Sequence, residues 1–222
     1  MTTRSACTVA AVALLLAACG NNPPTPDWKL NAQGALERAA GAHLEGRSAI
    51  AEREFGTARR EIARTGRLDL LARAELMRCA AHVAGLSFEP CAAFEALRAD
   101  APAAELAYAA YLGGRVTPAE QALLPAHHRA VLAPGASDAA SAAALQAMPD
   151  ALSRQIGAAV LLLAGRASPE VIAQAIDNAS AQGWRRPLLA WLRLQAQRAQ
   201  TAGDTLAAEA VRRRIALVEG GS

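Results

Sequence analysis

The residues equipped for chemistry are few. Cys79 and Cys91 lie in MRCAAHVAGLSFEPCAAF, the first in the last turns of one predicted helix and the second in the first turn of the next. A short connection over 86–89 folds those helices into a hairpin and brings the two Cα atoms within the roughly 4.4–6.8 Å that a disulfide needs. Closing so short a loop stabilises by about 3 kcal/mol. The pair reads either as a disulfide or as two buried free thiols, and an oxidising compartment favours the disulfide. His82 lies near Cys79, but one histidine and two cysteines fall short of a four-ligand site, so no metal and no cofactor is expected. His127 and His128 are adjacent, and neighbours on a helix point about 100° apart, so they form no joint ion site by themselves. They are expected in solvent, or half-buried near a helix end.

There is no G-x-S-x-G, H-E-x-x-H, Walker A or dinucleotide fingerprint. Carboxylates alternate with arginine, as in AEREFGTARREIARTGRLD, which reads as a solvated, charge-laced face. A hydrolase would have to draw on carboxylates such as Glu45, Glu75 or Glu105, and the sequence does not rank them. The best candidate for a binding surface is C-terminal. Seven arginines (185, 186, 193, 198, 212, 213, 214) lie between Gly183 and Val218, opposed only by Asp204 and Glu209. Trp184 and Trp191 share that region. Arginine and tryptophan are common interface anchors, so Trp184, Arg185, Arg186 and Trp191 are the expected partner-binding residues. The alternative is a solvated helix face with its tryptophans in the core.

The compartment comes from the N-terminus. Arg4 is the only charge before Asp27, and an apolar run over 9–18 follows it. Ten apolar residues span about 15 Å as a helix, half of a bilayer core, which is too short for a transmembrane anchor. A basic start, a short apolar core and small residues before a break describe a secretory signal over 1–18. Leu16-Ala17-Ala18-Cys19 resembles the lipobox of bacterial lipoproteins. The resemblance implies that Cys19 receives a diacylglycerol on sulfur, that the signal is cut before it, and that the new amino group is acylated. Three acyl chains hold a protein stably where one is marginal. In Gram-negative lipoproteins, Asp after the cysteine favours inner-membrane retention. Gly20 stands there, so the resemblance implies the outer membrane, with the chain facing the periplasm. The Pro-rich GNNPPTPD cannot be helical, and 19–30 reads as the lipidated cysteine and a flexible tether.

The chain is 222 residues and 53% hydrophobic, much of it alanine, which lets helices pack closely. Without the signal it is still long enough for one sizeable core or two smaller ones. Charge is near balance, with 23 Lys+Arg against 20 Asp+Glu, so the total demands no strongly electrostatic partner. Nucleic acid is disfavoured by the compartment.

No alternating β-branched run and no Asn-Gly hairpin signal occurs, and the fold class is all-α. Helices are predicted over 31–45, 48–65, 68–85, 90–99, 102–113, 117–132, 138–147, 150–165, 169–182, 186–202 and 204–218. Thr117-Pro118 with Glu120, and Ser168-Pro169 with Glu170, carry N-terminal capping signals. Gly203 is a stop and Asp204 the next cap. IGAAVLLLAG reads as the most buried helix. Short connections make neighbours antiparallel hairpins. LAPGASDAASAA is a joint between an N-terminal helical half over 31–133 and a C-terminal half over 138–218.

Ala51, Phe55 and Ala58 stand at A-x3-F-x2-A, and Leu36, Ala40 and His43 lie near the matching upstream positions. Trp191, Leu194 and Ala207 give a second match, with Val211 in place of an aromatic. These segments resemble tetratricopeptide repeats, over about half of the chain after the signal. Departures are Gln195, Arg198 and Arg214 at positions of small or aromatic residues, and a Phe94 too far from Phe55 for a 34-residue period. The resemblance implies a TPR-like array of helical hairpins; an irregular helical bundle is the alternative. Together these readings lead to a non-catalytic outer-membrane lipoprotein that acts as an interaction scaffold or assembly factor for envelope proteins, held to the membrane by its lipid. A small-molecule or lipid carrier and a helical cell-wall hydrolase are the alternatives.

Overall fold

The computed structural model describes residues 24–220. The signal segment and Cys19 lie outside them. The described residues form twelve α-helices and one 3-10 turn, with no strand, so the fold is all-α. No described helix is long and apolar enough to cross a membrane.

Helix α1, Asp27–Leu44, begins just after Pro26 and carries Asp27 in its first turn, where a carboxylate faces the positive end of the helix dipole. The tether predicted over 19–30 overlaps this helix. Proline blocks the helix only up to Pro26, and Asp27–Leu30 already belong to α1. Its buried stripe is Ala32, Ala35, Ala39 and Ala42, at helical spacing. These small residues let α2, Ser48–Ala63, lie close, and α2 buries its own stripe of Ala51, Phe55, Ala58 and Ile62. Gly46, at φ +89°, supplies the left-handed residue that turns α1 into α2, and Arg47 N–H closes back on Ala42 O at 2.8 Å.

Helix α3, Leu68–Ala84, is buried on several sides, including Ala72, Ala74, Leu76, Ala80, Ala81 and Val83. It packs against α1, α2, and two later helices, α5 (Ala103–Leu112) and α9 (Ala151–Leu163). Cys79 near its end stands at disulfide distance from Cys91, with Cα atoms 5.8 Å apart.

The middle of the chain is more broken than its periodicity predicts. The segment predicted as a helix over 90–99 is α4, Ala92–Glu95, followed by a 3-10 turn, Arg98–Asp100. The helix predicted over 117–132 is two, α6 (Pro118–Gln121) and α7 (Ala126–Val131). Pro125 separates them, because its ring excludes the preceding residue from helical backbone. The capping box at α6 is complete: Thr117 N–H donates to Glu120 Oε2 at 2.8 Å and Glu120 N–H to Thr117 Oγ1 at 3.3 Å.

Four longer segments complete the chain: α8 (Asp138–Gln146), α9, α10 (Pro169–Ala181) and the closing hairpin α11 (Arg185–Thr201) with α12 (Thr205–Gly220). In α9, Gln155 to Leu161 are buried without a break. Asp150 caps α9, and Ser168 caps α10. Residues from both sides of LAPGASDAASAA belong to one hydrophobic cluster. Leu44, Val83 and Tyr111 share one hydrophobic cluster with Ile156, Ile172 and Trp191. Contacts of α3 with α9, and of α1 with α11, close the first hairpins onto the last.

Candidate functional site

The start of helix α11 positions the four residues expected to bind a partner, and each of them makes contacts within the fold. Trp191 is fully buried, which corrects its reading as a surface anchor. It lies against Gln155 of α9, which is also fully buried. Turned toward the indole, the Gln155 carbonyl oxygen accepts Trp191 Nε1–H at 2.7 Å. In that orientation the Gln155 amide nitrogen donates to Ala175 O at 3.3 Å, so α9, α10 and α11 share one buried polar knot. Trp184 is half-buried and packs on the core at the start of α11.

Arg185 donates to the Val218 and Glu219 carbonyls at 3.2 Å each, at the C-terminus of α12. Arg186 donates through Nε to His43 O at 2.8 Å and through Nη2 to Ser48 Oγ at 2.8 Å. Its stem passes over Gly85, where an added Cβ would come within 3.2 Å of Arg186 Cδ. Arg186 therefore ties the α1–α2 turn, the end of α3 and the start of α11 together. Arg193 pairs with Glu219 at 2.6 Å, Arg198 donates to Ala167 O at 2.6 Å, and Arg212 bonds Gln200. Arg213 and Arg214 are exposed.

The carboxylates singled out above are engaged too. Glu75 is buried against Arg59, Glu105 is buried with Arg73 Nε at 2.6 Å, and Glu45 pairs with Arg47. His128 is more buried than expected, at 3% exposure, because Pro125 restarts the helix with that side chain turned inward. Its Nδ1 lies 3.0 Å from the hydroxyl of the fully buried Tyr111. Burial, then the neighbouring His127, push the His128 pKa down to about 4. The imidazole is neutral at pH 7 and shares one hydrogen bond with the Tyr111 hydroxyl.

Two hollows open on either side of Met77 and Tyr108. The first, of about 160 Å³, lies between α1, α2, α3 and α9 and holds His43 and His82. Their rings stack at 4.2 Å, a pairing across two helices that no local motif announces. His43 is pushed down to about 4 by burial, then by His82, Arg186 and Arg78. His82 is lowered by burial and Arg78. At the rim, Arg78 pairs with Glu52 at 2.7 Å and lies 5.0 Å over the Phe55 ring. The second hollow, of about 540 Å³, is open and apolar, between α3, α5 and the α6–α7 break. Met77 and Leu123 are exposed there, at 41% and 48%. The described residues hold no group of three or more His, Cys, Asp or Glu arranged for a metal.

No protein-family model, curated protein or solved structure matches this chain.

Proposed function

We propose that this chain is a non-catalytic, lipid-anchored helical module of the bacterial outer membrane that binds another envelope protein. The address rests on the lipobox-like Leu16-Ala17-Ala18-Cys19. The binding role rests on one observation, the open hollow of about 540 Å³ beside Met77 and Leu123. Leu76, Leu124 and Pro125 floor it, and the α6–α7 break created by Pro125 keeps it from being filled by a continuous helix. A hollow of this shape takes bulky apolar side chains from a partner segment, the knob-into-pocket arrangement of interface hot spots. The Arg73–Glu105 pair at its edge offers polar partners for the segment's backbone.

The test is crosslinking in intact cells with the lipidated protein as bait, alongside Cys19→Ser and a Met77→Asp/Leu123→Asp double variant. Both substituted side chains are substantially exposed, so helicity is expected to survive. The same envelope protein should be recovered with the native chain and lost with each variant. Equal recovery by the folded double variant removes the hollow as the docking site. Equal recovery by Cys19→Ser removes the anchor from the function.

A further inference from the structure

We propose that the end of the molecule from which the chain runs to Cys19 rests on the phospholipid bilayer surface, with Trp28, Leu30 and Leu68 at the depth of the lipid headgroups. This rests on the lipid anchor at Cys19 put forward above. Seven residues lead from Cys19 to Pro26, directly before α1. Fully extended they reach about 25 Å. Helix α1 has 18 residues and rises about 27 Å. The tether is no longer than the helix it carries, so the end where α1 starts is the one held nearest the membrane.

Three elements meet at that end. Ala32 of α1, Ile62 of α2 and Ala74 of α3 share a small hydrophobic cluster. The α1–α2 hairpin returns the chain to the level where α1 began, and Gly66, at φ +65°, turns it into α3. Apolar side chains run out past this cluster. Trp28 stands one turn before Ala32, in line with the buried stripe of α1, yet it is only half-buried. Leu30 is 56% exposed, and Leu68, the first residue of α3, is 47% exposed.

The charges at this end suit the same plane. Lys29, Arg64 and Arg67 are exposed in the same three segments. Long basic side chains lay their stems along apolar surface and hold the charge at phosphate level, and an indole prefers that layer too. The nearby carboxylates are neutralised: Glu61 pairs with Arg64 at 3.0 Å and Asp69 with Arg67 at 2.6 Å. An anionic lipid surface therefore meets the ammonium of Lys29 and two closed ion pairs. The acyl chains supply the hold on the membrane, and this contact fixes which way the body points.

The experiment couples the chain from Cys19 to the C-terminus, through the Cys19 thiol, to maleimide-bearing lipid in vesicles of phosphatidylethanolamine and phosphatidylglycerol. Cys79 and Cys91 are joined to each other, which leaves Cys19 as the thiol that reacts. The chemical anchor stands in for lipidation, so the result does not depend on whether the cell lipidates Cys19; the mass of the N-terminal peptide from cells reads that separately. Tryptophan emission is followed as lipids with a nitroxide near the headgroup are added. Trp28 should lose about half its emission, as an indole at headgroup depth does, and Trp28→Phe should remove that loss. Leu30→Asp with Leu68→Asp keeps the tether and Trp28, and should bring the quenching down to the Trp28→Phe level. Unchanged quenching in that folded double variant would mean that the tether alone brings Trp28 near the lipid, and would overturn the proposal. Equal quenching in Trp28→Phe would place another face on the bilayer. No quenching in the native chain, together with a dimeric mass in solution, would give this end to a second copy.

Discussion

Arg185–Arg186 and Arg213–Arg214 are two adjacent pairs of the same residue on the two helices of one closing hairpin, and the fold treats them oppositely. The first pair opens α11 where other helices end. Arg186 reaches His43 O at the end of α1, and Arg185 reaches Val218 and Glu219 O at the end of α12. The last carbonyls of a helix lack intrahelical donors and carry the negative end of its dipole, so a guanidinium nearby is drawn onto them. The second pair lies in the middle of α12 and is exposed. The density of arginine in the sequence therefore measures charge and leaves availability to the tertiary arrangement.

The contrast between core and surface is sharpest at Trp191. Trp191→Ala should cost about 3–5 kcal/mol in chemical denaturation, since it empties a fully buried site and strips Gln155 of its donor. A loss under about 1 kcal/mol would return Trp191 to the surface reading. Next comes the end of α3, which is held twice, once by Cys79–Cys91 and once by Arg186 passing over Gly85. Replacing both cysteines by serine should cost about 3 kcal/mol, the loop-closure value, and reductant should give the same drop in the native chain. A native chain insensitive to reductant would make the pair free thiols. Arg186→Ala should cost about 1–3 kcal/mol, and Arg186→Lys should recover little, because an ammonium cannot span His43 O and Ser48 Oγ together.

The same particulars show what the sequence made legible. The caps at Thr117 and Ser168 use residues within one turn, and both are found where the signals placed them. The cysteine pair needed only a short hairpin, which local helix signals supply. Pro125 stands where the two helices part, and the reading of 117–132 as one helix fails there. Burial of Trp191 depends on Gln155 in another helix, and the His43–His82 stack joins residues of α1 and α3. Such meetings are set by how helices dock, and periodicity along one helix does not encode them.

The histidines give a pH test of the Arg186 seam. Folding lowers the pKa of His43 and of His128 to about 4, from an ordinary value of 6.5, and lowers His82 as well. The unfolded chain then binds more protons than the folded one between those values, so stability falls as pH drops from about 6.5 towards 4. Below the folded values no further loss comes from these groups. His43→Phe should flatten the pH dependence of the melting temperature while leaving the His128 contribution. An unaltered slope would place the titration elsewhere than at the seam.

The smallest expected effect completes the comparison of the two pairs. Arg213→Glu with Arg214→Glu should leave the melting temperature unchanged, because exposed mid-helix side chains without a tertiary contact contribute little to stability. Arg185→Glu with Arg186→Glu makes the same change in net charge, but it sets carboxylates against the carbonyl ends of α1 and α12. Both the lost hydrogen bonds and the unfavourable helix dipole then act in the same direction. A clear drop in melting temperature for the second pair and none for the first assigns the difference to position. Equal drops would mean that overall charge, and with it a long-range field across the C-terminal hairpin, holds these helices together, and the carbonyl contacts of Arg185 and Arg186 would lose their special standing.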